Sequence, residues 1–365
     1  MNKVKKKNNI KICQIVYSGY GGHTDLALDL SKNFVNEFSK VCLIFYGYQN
    51  LPASYINFCK KHKIAFCKLK LAFFLTDWWR IFCFLTKLKC NVVILHTGTI
   101  VPVFLYKLIY GAKLISAYHQ SIYLKTVKEK FRDYVQFYVS NINIVITKIY
   151  HDYFFKIFKK KSVFIISNGI EIPKGFKEKK NKRKKVINFG MASRFIETKG
   201  HKLLIECFEN LPNNMVLKFV GTGDNEKELK KILIEKNIKN IHFEGYVEKN
   251  KMNNWFKSID YYIHISDGET MSLSIMQAMA MGKVIIASNV SGIKNIISHK
   301  HNGYLVKNAK TNIIRMIKKI TNYQDQNFII SINAINFAKK NFDLRNTVKK
   351  YKNLIYKLFN EEYSS

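Results

Sequence analysis

The stretch IDYYIHISDGETMSLSIMQAMAMGKVIIAS, residues 259–288, gives the clearest indication of the fold. It starts with a run rich in aromatic and β-branched residues, passes through a polar turn that contains a glycine, and continues with apolar residues at helical spacing before a second apolar run, KVIIAS. A strand, a helix and a strand in this order predict a βαβ unit with parallel strands. Glu269 lies in the turn just before the helix, and Gln277 lies within it.

Short apolar runs alternate with amphipathic segments through most of the chain. Runs typical of buried strands are IKICQIVY, VCLIFY, IAFCKL, VVILH, AKLISAYH, INIVIT and VFIIS in the first half, and VINFGM, MVLKFVG and NIHFEGY in the second. Such alternation predicts an α/β fold with two doubly wound parallel sheets, each covered by helices on both faces. The C-terminal part of the chain is predicted to be wholly helical.

The domain boundaries follow from the length and from one charged stretch. A chain of 365 residues exceeds one ordinary core, so two domains are expected. The stretch FKEKKNKRKK lacks apolar periodicity and indicates a linker. We predict an N-terminal Rossmann-like domain over 1–173, a basic linker over 174–185, a second Rossmann-like domain over 186–340 and a C-terminal helix over 341–365.

The formal net charge of +36 favours anionic partners such as lipid headgroups, phosphorylated substrates or nucleic acid. No basic recognition module for duplex nucleic acid is visible, so we expect no nucleic-acid partner; a basic nucleic-acid-binding protein is kept as an alternative. The seven cysteines include no C-x-x-C pair, which is typical of free thiols in a reducing compartment. No apolar run is long enough to span a membrane, and no signal peptide is recognised, so we expect a cytoplasmic protein.

The loop after the first predicted strand, YSGYGGHTDLALDL, contains Gly19, Gly21 and Gly22. Glycines let the backbone approach a ligand closely, and the helix that follows offers free N–H groups to an anion. The signal is weak, because Thr24 stands where a dinucleotide fingerprint has its third glycine and no Walker lysine is present.

Two histidines follow later strands of the first half. His96 is as consistent with a hydrogen-bonded structural residue as with a functional one, whereas His119, in a polar loop, is expected to face the ligand. Neither histidine has metal-ligand spacing and the chain contains no D-x-D pair, so we predict no metal site.

Arg194 and Lys199 lie in the loop after the first strand of the second domain. A guanidinium and an ammonium at this place suit a diphosphate, although two cations in one loop also arise by chance in so basic a chain. The next loop carries Gly221 and Gly223, which would either approach a nucleotide or simply turn the chain.

Taken in order, these segments resemble the retaining glycosyltransferases of family 4, which have the GT-B fold: two Rossmann-like domains that face each other across a cleft. The segments that carry the resemblance are GYGGHTDLALDLS, VITKIYHDYFFK, VFIISNGIEI, SRFIETKGHKLLIECF, FVGTGD, IHFEGYV and the sequence around Glu269. The resemblance implies an acceptor-binding first domain, a nucleotide-sugar-binding second domain and C-terminal helices that cross back to the first domain.

The family signature in the second domain is a glutamate, seven residues, and a second glutamate. Here it stands as Glu269, seven residues, and Gln277 in QAMAMGKVIIAS. The resemblance implies that Glu269 holds hydroxyls of the donor sugar while position 277 binds the ribose. The chain departs from the pattern at Gln277, at Thr270, where a glycine is usual, and at Lys283, which Val284 follows without the usual proline.

The resemblance also implies the roles of the other residues and the partners. Arg194 and Lys199 would stabilise charge on the leaving nucleoside diphosphate in place of a metal, and His119 would lie near the reacting sugar. Further donor-binding residues would be Gly21, Gly22, Gly221, Gly223, Thr270, Met271 and Ser272. We expect a nucleotide-diphosphate sugar as co-substrate, no cofactor, and a glycan or lipid-linked acceptor in bacterial surface polysaccharide synthesis, such as lipopolysaccharide, lipooligosaccharide or capsule.

The segment LAFFLTDWWRIFCFLTKLK, residues 71–89, is rich in aromatic residues and has cations on one side of its helical wheel. It fits a core helix, or an interfacial helix lying in a membrane surface. With the net charge it predicts peripheral attachment to anionic lipid on the inner face of the cytoplasmic membrane. Two further alternatives are a catalytically weak or silent GT-B protein that acts as a partner in a glycan assembly complex, and a GT-B epimerase or phosphorylase.

Overall fold

The structure is a computed structural model, and it describes residues 9–70, 74–96, 98–120, 125–158, 162–173 and 184–360. The chain divides into two compact units. The first unit comprises residues 1–169 and 345–365, and the second comprises residues 170–344. Most of the predicted basic linker, residues 174–183, lies outside the described residues.

The first unit is built on a parallel sheet of seven strands in the order β3-β2-β1-β4-β5-β6-β7. The strands are β1 Lys11–Tyr17, β2 Lys40–Gly47, β3 Ala65–Lys70, β4 Val92–Leu95, β5 Lys113–Tyr118, β6 Ile142–Val145 and β7 Val163–Ile165. The helices between them are α1 Gly22–Phe34, α2 Ala53–Lys61, α3 Phe74–Leu88, α4 Ile100–Tyr110, α5 Val127–Val139 and α6 Lys148–Phe158. The central strands are apolar along their length because helices cover both faces of the sheet.

The second unit is built on a parallel sheet of six strands in the order β10-β9-β8-β11-β12-β13. The strands are β8 Ile187–Ala192, β9 Met215–Val220, β10 Ile241–Phe243, β11 Tyr261–His264, β12 Val284–Ser288 and β13 Tyr304–Val306. The helices are α7 His201–Phe208, α8 Glu226–Glu235, α9 Lys249–Ser258, α10 Leu273–Ala280, α11 Ser291–Lys294, α12 Lys310–Asn322 and α13 Gln324–Phe342, and a short 3₁₀ turn covers Glu197–Lys199. Within residues 259–288, β11 and β12 are parallel neighbours joined through α10.

The last helix, α14 Leu344–Asn360, packs on the first unit. Lys352 and the Tyr356 hydroxyl both bind the carboxylate of Glu37, at the end of α1. The Tyr356 ring also contacts Phe38, with 5.6 Å between ring centroids. The chain therefore begins in the first unit, passes through the second and returns to the first for its final helix.

The predicted α/β fold with two doubly wound sheets is confirmed. The strand β13, Tyr304–Val306, was not predicted, because a three-residue strand between polar turns has too little apolar pattern to recognise. No helix in the described ranges combines the length and apolarity that a membrane span needs.

Each sheet has one place where the strand order reverses. In the first unit this switch lies between β1 and β4, and in the second between β8 and β11. Loops diverge from the carboxyl ends of the two strands at such a switch, and ligands of open α/β sheets bind in the crevice that this creates. The loops after these four strands are therefore the expected place for ligand-binding residues in each unit.

Candidate functional site

Glu269 is the centre of a charged cluster at the switch of the second sheet. Its Oε1 atom accepts a hydrogen bond from Lys199, and the same atom lies 2.8 Å from Nε2 of His264, the last residue of β11. Since a carboxylate can only accept, Nε2 of His264 carries the proton in this contact. Nδ1 of His264 is 3.4 Å from the hydroxyl of the buried Tyr262.

The other carboxylate oxygen of Glu269, Oε2, differs from Oε1 in its hydrogen bonds. Within the part of the chain that the structure describes, both contacts of the carboxylate converge on Oε1, and Oε2 accepts no hydrogen bond. The side chain is 14% exposed. The cluster therefore holds the carboxylate by one oxygen and leaves the other for a hydrogen-bond donor.

The environment of Glu269 keeps it ionised. Burial favours the neutral carboxylic acid, but the hydrogen bond and charge of His264 and of Lys199 outweigh it and lower the pKa of Glu269 to about 2. The carboxylate is therefore negative throughout the physiological pH range.

Backbone and side-chain hydrogen bonds fix the loop that carries Glu269. The Ser266 hydroxyl bonds the carbonyl oxygens of Thr198 at 3.1 Å and Gly268 at 2.8 Å. The amide of Asn308 donates to the Ser266 carbonyl at 3.1 Å, and Asn308 Oδ1 accepts from the Ser288 hydroxyl at 2.5 Å. Because Thr198 precedes Lys199, these bonds hold both partners of the ion pair in fixed positions.

Two glycines let neighbouring backbone segments approach this loop. A Cβ atom on Gly292, in α11, would lie 1.7 Å from the carbonyl oxygen of Glu269. Gly200 has a φ of 54°, which is the left-handed region, and a Cβ there would meet the Ile265 side chain at 2.6 Å. The sequence interpretation missed Gly292, since nothing local indicates a contact with a residue so far away in the chain.

Arg194, Gly221 and Gly223 belong to two loops that pack on each other. Arg194 is exposed and makes no ion pair with any residue that the structure describes. A Cβ on Gly221, whose φ is 140°, would lie 1.9 Å from the carbonyl oxygen of Ser193, and one on Gly223 would lie 2.3 Å from that of Phe195. Both positions therefore need glycine, because their backbone packs directly against the loop that contains Arg194.

Four of the predicted donor-binding residues lie within α10 or just before it. The Ser272 hydroxyl caps the helix by accepting from the backbone N–H of Ile275 at 3.4 Å. Thr270 and Met271 are half-buried, and Met271 packs on the hydrophobic core. Gln277, within α10, is half-buried, and its side chain makes no hydrogen bond to the described residues.

His201 is a buried polar residue beside this site. Its Nε2 atom lies 3.0 Å from the hydroxyl of Ser193, and its ring packs edge-on against Phe195. Burial, reinforced by the nearby His264 and Lys199, lowers the pKa of His201 to about 3. The ring is therefore neutral at pH 7.

Histidines also meet at the switch of the first sheet. His96, directly after β4, is buried, and its ring stacks on that of His119, directly after β5, with 5.1 Å between centroids. The His23 ring, in α1, also stacks on that of His119, with 5.8 Å between centroids. Nδ1 of His96 lies 2.9 Å from Nε2 of His119, and Nε2 of His96 lies 2.9 Å from Oε1 of Gln14.

The glycine-rich loop after β1 leads into α1. Gly21 precedes the helix and Gly22 is its first residue. Thr24, at the place of the missing third glycine, is buried, and its hydroxyl donates to the Tyr17 carbonyl at 3.1 Å. Among the described residues, no group of three histidine, cysteine or acidic side chains is placed to hold a metal ion.

Two doubly wound sheets, with a charged cluster at the switch of the second, are the architecture of the GT-B class of α/β proteins. The family model of the glycosyl transferases group 1 matches residues 174–340. An uncharacterised glycosyltransferase of Methanocaldococcus jannaschii is 31% identical over 310 residues, which are 77% of this chain and 79% of that protein. The chain belongs to the group 1 glycosyltransferases.

Solved structures share the fold. The Anabaena protein HepE, whose structures contain UDP with glucose or UDP-glucose, is 16% identical and matches with a TM-score of 0.80 over 95% of this chain and 100% of that chain. The lipopolysaccharide outer core galactosyltransferase WaaB, also 16% identical, matches with a TM-score of 0.68 over 95% of this chain and 99% of that chain. The predicted GT-B fold is confirmed.

The structure brings some predicted residues together and adds others. Lys199 and Glu269 are in direct contact, and Arg194 lies on the loop that leads to Lys199. His264 was missed, although a histidine that ends a buried strand, shortly before an acidic loop residue, is a usable signal. Gln14, which contacts His96, was not singled out either, although it is a polar residue within a buried strand.

Proposed function

We propose that the protein is a retaining glycosyltransferase that transfers a hexose or related sugar from a nucleotide-diphosphate sugar to a glycan or lipid-linked acceptor. We place the reaction in the synthesis of bacterial surface polysaccharide, such as lipopolysaccharide, lipooligosaccharide or capsule. The observation that carries the proposal is the ionised Glu269, held through Oε1 by Lys199 and His264 while Oε2 stays open to a donor. Sugar hydroxyls are such donors.

The cations of the site suit the leaving group. Lys199 has three N–H donors, and its bond to Glu269 uses one of them. The exposed Arg194 adds a planar pair of donors on the same loop. Together the two side chains would bind the diphosphate and stabilise the charge that develops on it as the bond to the sugar breaks. The proposed reaction needs no cofactor and assigns this charge stabilisation to protein cations rather than to a metal.

Gln277 and the start of α10 complete the proposed donor site. The backbone N–H groups at the start of α10 and its helix dipole favour a phosphate. Gln277 would bind the ribose through an amide instead of a carboxylate, and this exchange supports the alternative of a weak or silent enzyme that acts as a partner in a glycan assembly complex.

Thermal denaturation with UDP, UDP-glucose and UDP-galactose tests the donor proposal. A ligand that binds only the folded state raises stability by about 2.7 kcal/mol at one hundred times its Kd, so a bound donor should raise Tm by several degrees. Glu269→Gln should abolish the additional rise in Tm that the UDP-sugar gives over UDP alone. Absence of a shift with every nucleotide and nucleotide sugar, across other bases as well, would overturn the proposal.

Retention is tested on the product. With a donor that binds, the anomeric configuration of the transferred sugar can be read from its NMR coupling constant. The same configuration as in the donor is expected, and inversion would contradict this part of the proposal.

We further propose peripheral attachment to anionic lipid on the cytoplasmic face of the cytoplasmic membrane. The helix α3 buries Ile81, Leu85 and Leu88 in the core, as expected of a core helix, yet its other side leaves large apolar residues in solvent. Together with those of α4, against which α3 packs, the more than half-exposed residues are Leu75, Trp79, Leu108, Ile109 and Tyr110. Exposed apolar side chains on a strongly basic protein fit an anionic bilayer surface.

Sedimentation with vesicles tests the attachment. The protein should pellet with phosphatidylglycerol vesicles at low salt and stay in solution with phosphatidylcholine alone. The double variant Trp79→Ser, Leu108→Ser should bind less, whereas Ile234→Ser, which removes an exposed apolar residue of the second unit, should bind as the wild type does. Equal binding of both variants would contradict an apolar contact through α3 and α4.

A further inference from the structure

Gln14, His96 and His119 form a hydrogen-bonded chain at the switch of the first sheet. His96 stands in the middle, with its Nε2 2.9 Å from Gln14 Oε1 and its Nδ1 2.9 Å from His119 Nε2. Gln14 and His96 are both buried. The positions of the protons along these hydrogen bonds follow from the orientation of the Gln14 amide.

The orientation of the Gln14 amide is fixed by α1. Gln14 Nε2 lies 3.0 Å from the carbonyl oxygen of Ala27 and 2.6 Å from the hydroxyl of Ser31. Since a backbone carbonyl can only accept, the NH₂ group must face α1, and the amide oxygen must face His96. An amide oxygen accepts, so Nε2 of His96 carries a proton.

The remaining protons are then determined. Burial, with a smaller contribution from His23, lowers the pKa of His96 to about 3, so the ring is neutral at pH 7 and has one N–H group. Nδ1 of His96 is therefore an acceptor, and Nε2 of His119 must donate to it. Burial first, then His96 and His23, and last Lys125 lower the pKa of His119 far below its ordinary value, against an opposing hydrogen-bonding contribution from the Asn168 side chain that is larger than the effect of Lys125. The neutral His119 thus has a bare Nδ1.

For that bare nitrogen the described residues supply no hydrogen-bond donor. Nδ1 of His119 is buried and accepts no hydrogen bond from any residue that the structure describes. Oδ1 of Asn168, whose side chain acts on His119, is likewise a buried acceptor without a donor among those residues. A buried acceptor without a donor destabilises the folded protein, and a ligand hydroxyl would satisfy it.

We propose that Gln14 and His96 are positioning residues that lock His119 in the tautomer with a bare Nδ1, so that it accepts a hydrogen bond from a ligand hydroxyl. The proposed function supplies the identity of that hydroxyl, which belongs to the transferred sugar. The lock itself depends only on the geometry of Gln14, His96 and α1. A histidine free to change tautomer would present an N–H group at Nδ1 part of the time and discriminate less between a hydroxyl and an acceptor.

The tautomer can be measured without any ligand. Long-range ¹H–¹⁵N correlation spectra of the full chain with ¹⁵N-labelled histidine, at pH 7, should show His119 with a bare Nδ1 and a protonated Nε2, assigned by loss of the signals in His119→Gln. A protonated Nδ1 in the wild type would overturn the proposal.

Gln14→Leu should release the lock. Without an acceptor facing Nε2 of His96, the single proton of His96 is free to move to Nδ1, which would donate to His119 and force the proton of His119 onto Nδ1. The matched control is Gln49→Leu, the same change at an exposed position of the first unit, which should leave the His119 signals unchanged. Wild-type tautomer populations of His119 in a folded Gln14→Leu protein would also overturn the proposal.

Binding measurements separate this lock from a merely structural role. Gln14→Leu should weaken binding of a nucleotide sugar about tenfold, the loss of one hydrogen bond, while binding of the nucleoside diphosphate alone should not change. Equal weakening of both ligands would show a structural effect and contradict the lock. If no nucleotide sugar binds the wild type while His119 has the expected tautomer, the proposed function fails and the lock stands.

Discussion

Gly292 lies directly against the backbone of Glu269. A Cβ atom at position 292 would be 1.7 Å from the carbonyl oxygen of Glu269 and 2.3 Å from its carbonyl carbon. No side chain fits at that distance, so the short helix α11 serves as a support on which the Glu269 loop rests. The position of the proposed donor-binding carboxylate thus depends on a residue of a different loop.

Gly292→Ala should therefore displace the Glu269 loop. We expect a loss of about 2–4 kcal/mol in the free energy of unfolding, because backbone must move to relieve the overlap. Urea denaturation measures this loss, and the shift of Tm with UDP-glucose should shrink as well. Ser291→Ala, at the exposed neighbouring position, should change neither quantity. Wild-type stability of Gly292→Ala would contradict the close contact.

Glu269→Gln should destabilise the protein in a way that depends on pH. The pKa of Glu269 is lowered from 4.5 to about 2 in the folded state, so the ionised form adds stability that is fully present above pH 4.5 and is lost as the pH falls towards 2. At pH 7 we expect the variant to lose on the order of 2–3 kcal/mol. Urea titrations at pH 7, 4 and 3 should show this difference shrinking.

Glu235→Gln is the control for Glu269→Gln. Glu235 pairs with Lys231 at 3.5 Å on an exposed helix face. Such surface pairs contribute roughly 0–1 kcal/mol, so the change should have little effect at any pH. Equal losses in the two variants would mean that the buried cluster does not favour the ionised carboxylate.

His201→Gln should make the stability less dependent on pH. Because the pKa of His201 falls from 6.5 to about 3 on folding, the unfolded chain binds a proton that the folded protein does not, and stability is lost as the pH falls from 6.5 to 3. At pH 5 this residue alone should cost about 2 kcal/mol relative to pH 7. Urea midpoints at both pH values should differ less for the variant, whereas the exposed His242→Gln should keep the wild-type difference.

Gln277→Glu should tighten donor binding. A carboxylate accepts a ribose hydroxyl with charge assistance worth about 1 kcal/mol more than an amide, which is about fivefold in Kd. Calorimetric titration with the nucleotide that stabilises the protein measures this change, and Gln277→Ala should bind more weakly than the wild type. Identical affinities in all three proteins would mean that position 277 does not contact the ribose.

Most strands of the fold could be predicted because their side chains are buried on both faces and therefore read as unbroken apolar runs. β1 and β12 are examples, since helices cover both sides of each sheet. The three-residue β13 could not be predicted, because its place is set by pairing with β12 rather than by its own pattern. The boundary of α14 was set at 341, whereas the helix starts at Leu344 after Asp343, where the pattern offers no clear break.

The residues of the candidate site were predictable where they end a strand or open a helix. Glu269 and Lys199 stood out by their place in loops at the switch of the second sheet. Their contact through one carboxylate oxygen, and the part of His264 in it, could not be predicted, since it depends on the register between β8 and β11. The Gln14 amide is a similar case, because its partners come from α1 and from the residue after β4.

The return of the chain to its first unit changes what a single backbone cut would do. Because residues 345–365 belong with residues 1–169, a proteolytic nick within 174–183 would leave the second unit covalently attached to α14. The two fragments would stay associated through α14, where Lys352 and Tyr356 donate hydrogen bonds to Glu37. Release of the second unit would take a second nick near residue 344. The band of the intact chain on a denaturing gel should therefore disappear before the mass of the undenatured protein changes.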